Sequence, residues 1–150
     1  MFRFRYHNLL KYKEDVEQSA KNELALSLGQ LNALRDRLGE LERTYSEYKA
    51  GCLQSIQEGV LASSFRFNTA HDRYYRDQMA DCQAEIERAD QRVADCRQKL
   101  LLATQDKKKY EKLKEKEKKL FDEMENKRES ELNDQLVTYR SSIKAGGKGI

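Results

Sequence analysis

The chain has 150 residues, of which 37% are charged and 38% hydrophobic, and it contains neither proline nor tryptophan. Its 29 basic residues nearly balance 26 acidic ones, and the resulting net charge of +3 excludes a polybasic nucleic-acid clamp. Proline costs about 3 kcal/mol inside a helix and is common in loops, so its absence here predicts long helices with little loop.

The first predicted element is a helix over residues 2–58. Apolar residues recur in it at steps of three and four, which is the spacing of a coiled-coil seam. The seam positions are Phe2, Tyr6, Leu9, Val16, Ala20, Leu24, Leu28, Leu31, Leu34, Leu38, Leu41, Tyr45, Tyr48, Cys52 and Ile56.

A turn is predicted over residues 59–69. Gly59 is typical of a helix end, and Ser63 and Ser64 interrupt the apolar pattern. Thr69 followed three residues later by Asp72 has the spacing of a capping box, which favours the start of the next helix.

The second predicted helix covers residues 70–144 and is followed by a flexible tail at 145–150. Its seam runs through Met79, Cys82, Ile86, Ala89, Val93, Cys96, Leu100, Ala103, Tyr110, Leu113, Leu120 and Met124, then Leu132, Leu136, Tyr139 and Ile143. Two seams of this kind predict an all-α fold in which residues 1–150 form one long two-helix antiparallel coiled-coil hairpin.

The register of the hairpin follows from where the turn is placed. A turn centred near Phe67 aligns Cys52 with Cys82, and it also aligns Leu41 with Val93 and Leu31 with Ala103. The segment from Asp134 onward then extends past the amino terminus with no partner inside the chain.

The sequence predicts no enzyme, because no catalytic, cofactor-binding or metal-binding motif is present. Gly146-Gly147-Lys148 lacks the spacing of a phosphate loop, and His7 and His71 lie near opposite ends of the predicted hairpin. Cys82 and Cys96 have seam spacing, so the thiols are interpreted as buried small side chains. No apolar run is long enough to cross a membrane and no signal peptide is visible, so a cytosolic location is expected.

Three surfaces are candidates for partner binding. The first is the amino-terminal segment, because Phe2, Phe4 and Tyr6 are more aromatic side chains than one helix seam can bury. The alternative to partner binding is that this segment packs against Leu120, Phe121 and Met124 within the chain. The second is the stretch from Leu41 to Lys49, whose tyrosines also have core spacing. The third is the turn region with its four aromatic residues Phe65, Phe67, Tyr74 and Tyr75.

Four features of the chain resemble the flagellar FliJ family. They are the opening Phe2-Arg3-Phe4-Arg5-Tyr6, the following Leu9-Leu10, the run from Glu17 to Ala25, and the spacing of Leu41, Tyr45 and Tyr48. The likeness covers nearly the whole chain. It implies a coiled-coil hairpin of the flagellar type III export machinery, similar to the central stalk of rotary ATP synthases. It also implies a location in the cytoplasm, peripheral to the cell membrane at the flagellar base.

The resemblance further implies three partners: the hexameric export ATPase, the export-gate membrane protein with its cytosolic ring, and substrate chaperones. No nucleic acid, small-molecule ligand or cofactor is expected. The residues expected to bind the ATPase are Phe2, Arg3, Phe4, Arg5, Tyr6, Leu9, Leu10, Lys13, Leu132, Leu136 and Tyr139. Those expected to bind the gate are Leu41, Tyr45, Tyr48, Phe65, Phe67, Tyr74 and Tyr75.

Three alternatives remain open at this point. A nucleic-acid-associated coiled coil would use the lysines from Lys107 to Lys119, which otherwise form a solvated helix face. An export chaperone would hold unfolded cargo along the seam. A homo-oligomeric scaffold would pair the seam residues of the overhanging segment between chains.

Overall fold

Two helices make up nearly all of the structure, a computed structural model that describes residues 1–59 and 62–147, except for the side chains of residues 62–67. Helix α1 covers His7–Glu58 and helix α2 covers Ala62–Gly146. The helices pack against each other, and the described residues include no strand. The predicted all-α helical hairpin is therefore confirmed.

The chain divides into two compact units, and both helices contribute to each of them. The terminal unit consists of Met1–Asp15 and Thr104–Ile150, and the turn unit consists of Val16–Ala103. In both units an early residue of α1 faces a late residue of α2, as expected for antiparallel helices: Lys13 pairs with Asp106 and Glu23 pairs with Lys99.

The core of the turn unit is a narrow seam of large and small side chains. Leu31, Ala89 and Val93 are buried at its centre. Partly buried apolar residues pack around them, namely Leu24, Leu28, Leu34 and Ile86. Alternating large and small residues fill the space between two helices without voids, which explains why alanines occupy seam positions of α2.

The predicted register is wrong. Cys82 does not face Cys52; its thiol donates to the backbone oxygen of Leu34 at 3.5 Å. Leu31 packs against Ala89 and Val93, so its predicted alignment with Ala103 and that of Leu41 with Val93 are also wrong.

The position of the turn explains the error. Helix α1 ends at Glu58, as predicted, and Gly59 has φ of 85°, a left-handed conformation that ends a helix and favours glycine. Helix α2 begins at Ala62, so the turn predicted over residues 59–69 is too long and the helix start predicted at residue 70 is too late. Ser63 and Ser64 do not prevent a helix, because serine costs only about 0.5 kcal/mol there relative to alanine.

The outer boundaries also differ from the prediction. Helix α1 begins at His7 instead of residue 2, and α2 continues to Gly146, into the segment predicted as a tail. Because the turn lies earlier, the amino terminus packs further back on α2: Phe2 contacts Phe121. The overhanging segment of α2 therefore begins at about residue 122, not at Asp134, since residues 122–147 are all exposed.

Candidate partner-binding surfaces

The amino-terminal segment precedes α1 and packs both of its phenylalanines inward. Phe2 lies against Phe121 with ring centroids 5.6 Å apart, and Phe4 is buried with its ring 5.9 Å from that of Tyr6. Arg3 and Arg5 are exposed. The sequence Phe-Arg-Phe-Arg therefore packs its two rings against the chain and leaves its two cations accessible to solvent. A helix would have separated the two phenylalanines, which explains why α1 begins only at His7.

The start of α1 is fixed by backbone hydrogen bonds to this segment. His7 N donates to Phe4 O at 3.3 Å, and Leu10 N donates to Tyr6 O at 2.9 Å. Leu10 is buried, and the half-buried Lys13 pairs with Asp106 at 3.6 Å. Of the residues predicted for this surface, Phe4 and Leu10 belong to the packing, whereas Arg3, Arg5 and Leu9 are open to a partner.

The overhanging segment of α2 carries an exposed apolar stripe. Leu132, Leu136, Tyr139 and Ile143 follow one another at steps of four, three and four, the spacing of one side of a helix. Their exposed fractions are 59%, 53%, 64% and 55%. We call these four residues the tail stripe. It belongs to the same compact unit as the amino-terminal segment.

The second surface lies near the turn and is organised by the buried Tyr45. Its hydroxyl donates to Asp72 Oδ1 at 2.5 Å and accepts from Arg76 Nε at 3.1 Å. Arg76 and Asp72 also pair directly at 3.0 Å, and Lys49 Nζ lies 4.2 Å from the centre of the Tyr45 ring. The prediction included Tyr45 but missed Asp72 and Arg76, whose i,i+4 spacing was the available signal.

Tyr48 and Tyr75 form the aromatic part of this surface. The Tyr48 hydroxyl donates to Asn68 O at 2.7 Å, and its ring lies 5.3 Å from that of Tyr75 and 5.7 Å from that of His71. Burial, with smaller effects from the Cys52 thiol, raises the pKa of Tyr48 from 10.0 to about 12. These contacts hold α1 and α2 together inside the turn unit.

Near the turn, the exposed side chains differ from those that hold the two helices together. Tyr74 is exposed, as are Leu53 and Ile56, which line a cavity of about 290 Å³ together with Tyr48, Cys52 and Lys49. Leu41 is half-buried. Sequence reasoning missed Leu53 and placed Ile56 in the seam, although more than half of each side chain is exposed. Phe65 and Phe67 fall outside the side chains that the structure describes.

Among the described residues, no three His, Cys, Asp or Glu side chains are grouped so as to hold a metal ion. Within residues 1–59 and 62–147, neither helix has a segment with the length and hydropathy needed to cross a bilayer.

Comparison with known proteins adds a family assignment to this geometry. No curated protein and no solved structure matches the chain. A family described as flagellar FliJ protein does match, over residues 2–146, which includes both helices and the amino-terminal segment. With nearly the whole chain matched, the protein belongs to the FliJ family, whose members are components of the flagellar export apparatus.

Proposed function

We propose that this protein is the stalk of the flagellar export ATPase. In this proposal the terminal unit inserts into the ATPase hexamer and promotes its assembly and activity, while the surface near the turn contacts the export gate and substrate chaperones. The protein would then act peripherally at the cytoplasmic face of the membrane. The observation that carries the proposal is the tail stripe, an apolar helix side with no cover inside the described chain.

The energetics favour a partner over solvent for this stripe. Burying a large aliphatic or aromatic side chain contributes about 1.5–3 kcal/mol, so four such residues provide a substantial driving force for docking. Exposed Arg3 and Arg5 lie in the same unit and add positive charge to the docking end. An apolar stripe in a unit that also exposes cations suits insertion into a protein ring better than a solvated linker role.

The mechanism needs no chemistry from this chain. Nucleotide hydrolysis belongs to the hexamer, and the inserted hairpin presents unlike side chains to different subunits. A ligand shifts a conformational equilibrium only through its differential affinity for the states. An asymmetric helical pair meets that condition, because the tail stripe can contact only the subunits that it faces.

The proposal for the gate rests on the surface near the turn. The exposed Leu53, Ile56 and Tyr74 supply apolar contact area, and the buried Tyr45 network keeps the helix that carries Tyr74 in place. The predicted residues Leu41, Tyr45, Tyr48 and Tyr75 then act mostly as support. Among the predicted residues whose side chains the structure describes, Tyr74 is the exposed one.

The test compares two double variants with equal added charge. Leu132→Glu with Leu136→Glu places carboxylates in the tail stripe, whereas Ser130→Glu with Ser141→Glu places them on the opposite side of the same helix, at 100° per residue. Losing about 1.5 kcal/mol or more at each leucine weakens ATPase binding about 100-fold.

The readouts are co-purification with the export ATPase of the same organism and stimulation of its ATP hydrolysis. We expect the tail-stripe variant to lose both and the opposite-side variant to keep both, with helix content checked by circular dichroism. Stimulation that survives in the tail-stripe variant removes the proposed role of this segment.

A further inference from the structure

A cavity of about 530 Å³ lies between the amino-terminal segment and α2 in the terminal unit. Its lining includes Arg3, Arg5, His7 and Lys114 together with Phe2 and Phe4. A second cavity of about 310 Å³ shares His7 and Lys114 and adds Lys11 and Glu14. Both volumes lie within the range of small-ligand sites, roughly 300–1,000 Å³, the second at its lower limit.

The charged groups around these cavities are strongly unbalanced. Arg3, Arg5, Lys11 and Lys114 form no ion pair with any carboxylate in the described part of the chain. Other lysines of the same unit do form such pairs, including Lys13 with Asp106 and Lys107 with Glu111. Glu14 is the one carboxylate among the described residues that line the two cavities.

The start of α1 adds to the positive potential. His7 and Asn8, the first two residues of α1, line the larger cavity. The first turn of α1 lies wholly within the described residues and contains no acidic residue. The positive end of the helix dipole is therefore not neutralised by a side chain of that turn. Arg3, Arg5 and Lys114 line one cavity beside this helix end, and an anion in that cavity would reduce the repulsion among like charges.

The donor set indicates which anion fits. Guanidinium groups donate in a planar fork that matches phosphate oxygens, and lysine ammonium groups bind phosphate as point charges. Four cations exceed what a single carboxylate neutralises. We propose that this cavity binds an anionic phosphate group, held by Arg3, Arg5 and Lys114, with Lys11 at the adjoining cavity. Phosphate binding goes beyond the proposed stalk function, although Arg3 and Arg5 belong to the same docking end, and its test uses no ATPase.

The phosphate has two possible sources, a free polyphosphate or the headgroup of an anionic lipid. The probes are inorganic pyrophosphate, titrated by calorimetry into the full chain, and vesicles of phosphatidylglycerol compared with vesicles of phosphatidylcholine in co-sedimentation. The cavity variant is Arg3→Gln, Arg5→Gln, Lys114→Gln. Its matched control is Lys108→Gln, Lys112→Gln, Lys116→Gln, which removes the same charge from exposed residues of the same unit that line neither cavity.

We expect saturable binding in one arm, weakened at least about tenfold in the cavity variant because charge-assisted hydrogen bonds are lost, and about twofold or less in the control. Pyrophosphate binding identifies a free phosphate, and binding to phosphatidylglycerol vesicles alone identifies a lipid headgroup. The single variants Lys114→Gln and Lys112→Gln repeat the comparison without altering the amino-terminal segment. Equal weakening in cavity and control variants, or no binding in either arm, overturns the site.

Discussion

Replacing Ser27 by cysteine tests the register of the hairpin directly. Ser27 Oγ lies 3.3 Å from Cys96 Sγ across the two helices, 69 positions apart in the chain. A disulfide needs sulfurs about 2.05 Å apart, so a rotamer change and a small backbone shift close the remaining distance. The Ser27→Cys variant, with Cys52 and Cys82 replaced by serine, should therefore form an intramolecular disulfide on mild oxidation.

The size of the effect follows from the loop that the bond closes. For a loop of 69 positions, the loss of chain entropy in the unfolded state stabilises the fold by about 4 kcal/mol at 25 °C before any strain is subtracted. The assay is urea unfolding of the oxidised and reduced forms, with peptide mapping to identify the bond.

The wild-type chain supplies the opposing test. The register expected from the apolar pattern places Cys52 beside Cys82, whereas the structure places Cys82 beside Leu34. An oxidised wild-type protein that yields a Cys52–Cys82 bridge, or a Ser27→Cys variant that stays reduced, would refute the register described here.

Two further predictions concern the turn unit. Leu31→Ala, in the core at 3% exposure, should lower the free energy of unfolding by about 2–5 kcal/mol in urea titration. Leu26→Ala on the same helix, at 66% exposure, should change it by less than about 0.5 kcal/mol, and equal losses would contradict the core assignment. The raised pKa of Tyr48 means that its stabilising contribution is complete below pH 10 and is lost as the pH rises towards about 12. Tyr48→Phe should therefore lose less stability over that interval than the wild type in pH-dependent unfolding, while Tyr74→Phe behaves like the wild type; identical curves for all three contradict the assignment.

The helices were predictable because they depend on local pattern. Without proline, and with apolar residues at steps of three and four, no other secondary structure buries the seam. Gly59 was recognised as a helix end, and its positive φ shows why.

The register was not predictable from the same pattern. A seam that repeats every seven residues faces its partner equally well after a shift by whole heptads, so periodicity gives the same answer for several alignments. The turn decides among them, and Ser63 and Ser64 do not mark it, because serine has only a small helix penalty and α2 runs through both residues. The correct alignment places Leu31 against Ala89 and Val93.

The candidate surfaces were predictable in part. Composition identified the aromatic and cationic amino-terminal segment, but not that Phe2 and Phe4 turn inward while Arg3 and Arg5 stay outside. The Tyr45 network depends on Asp72 and Arg76 from the other helix, and no single-helix pattern shows such a contact. The phosphate site needs Lys114 of α2 and the amino-terminal residues Arg3 and Arg5, which lie more than one hundred positions earlier in the chain. Only the tertiary fold brings these residues to the same cavity.

The segment of α2 beyond residue 122 has a consequence for the thermodynamics of docking. It is helical to Gly146 although nothing in the described chain covers it, so its backbone is already ordered before any partner arrives. A disordered peptide that folds on its target gives up roughly 1–2 kcal/mol of backbone entropy per residue during association. In the proposed docking, a ring that receives this segment is spared most of that cost, so a smaller apolar contact suffices for capture.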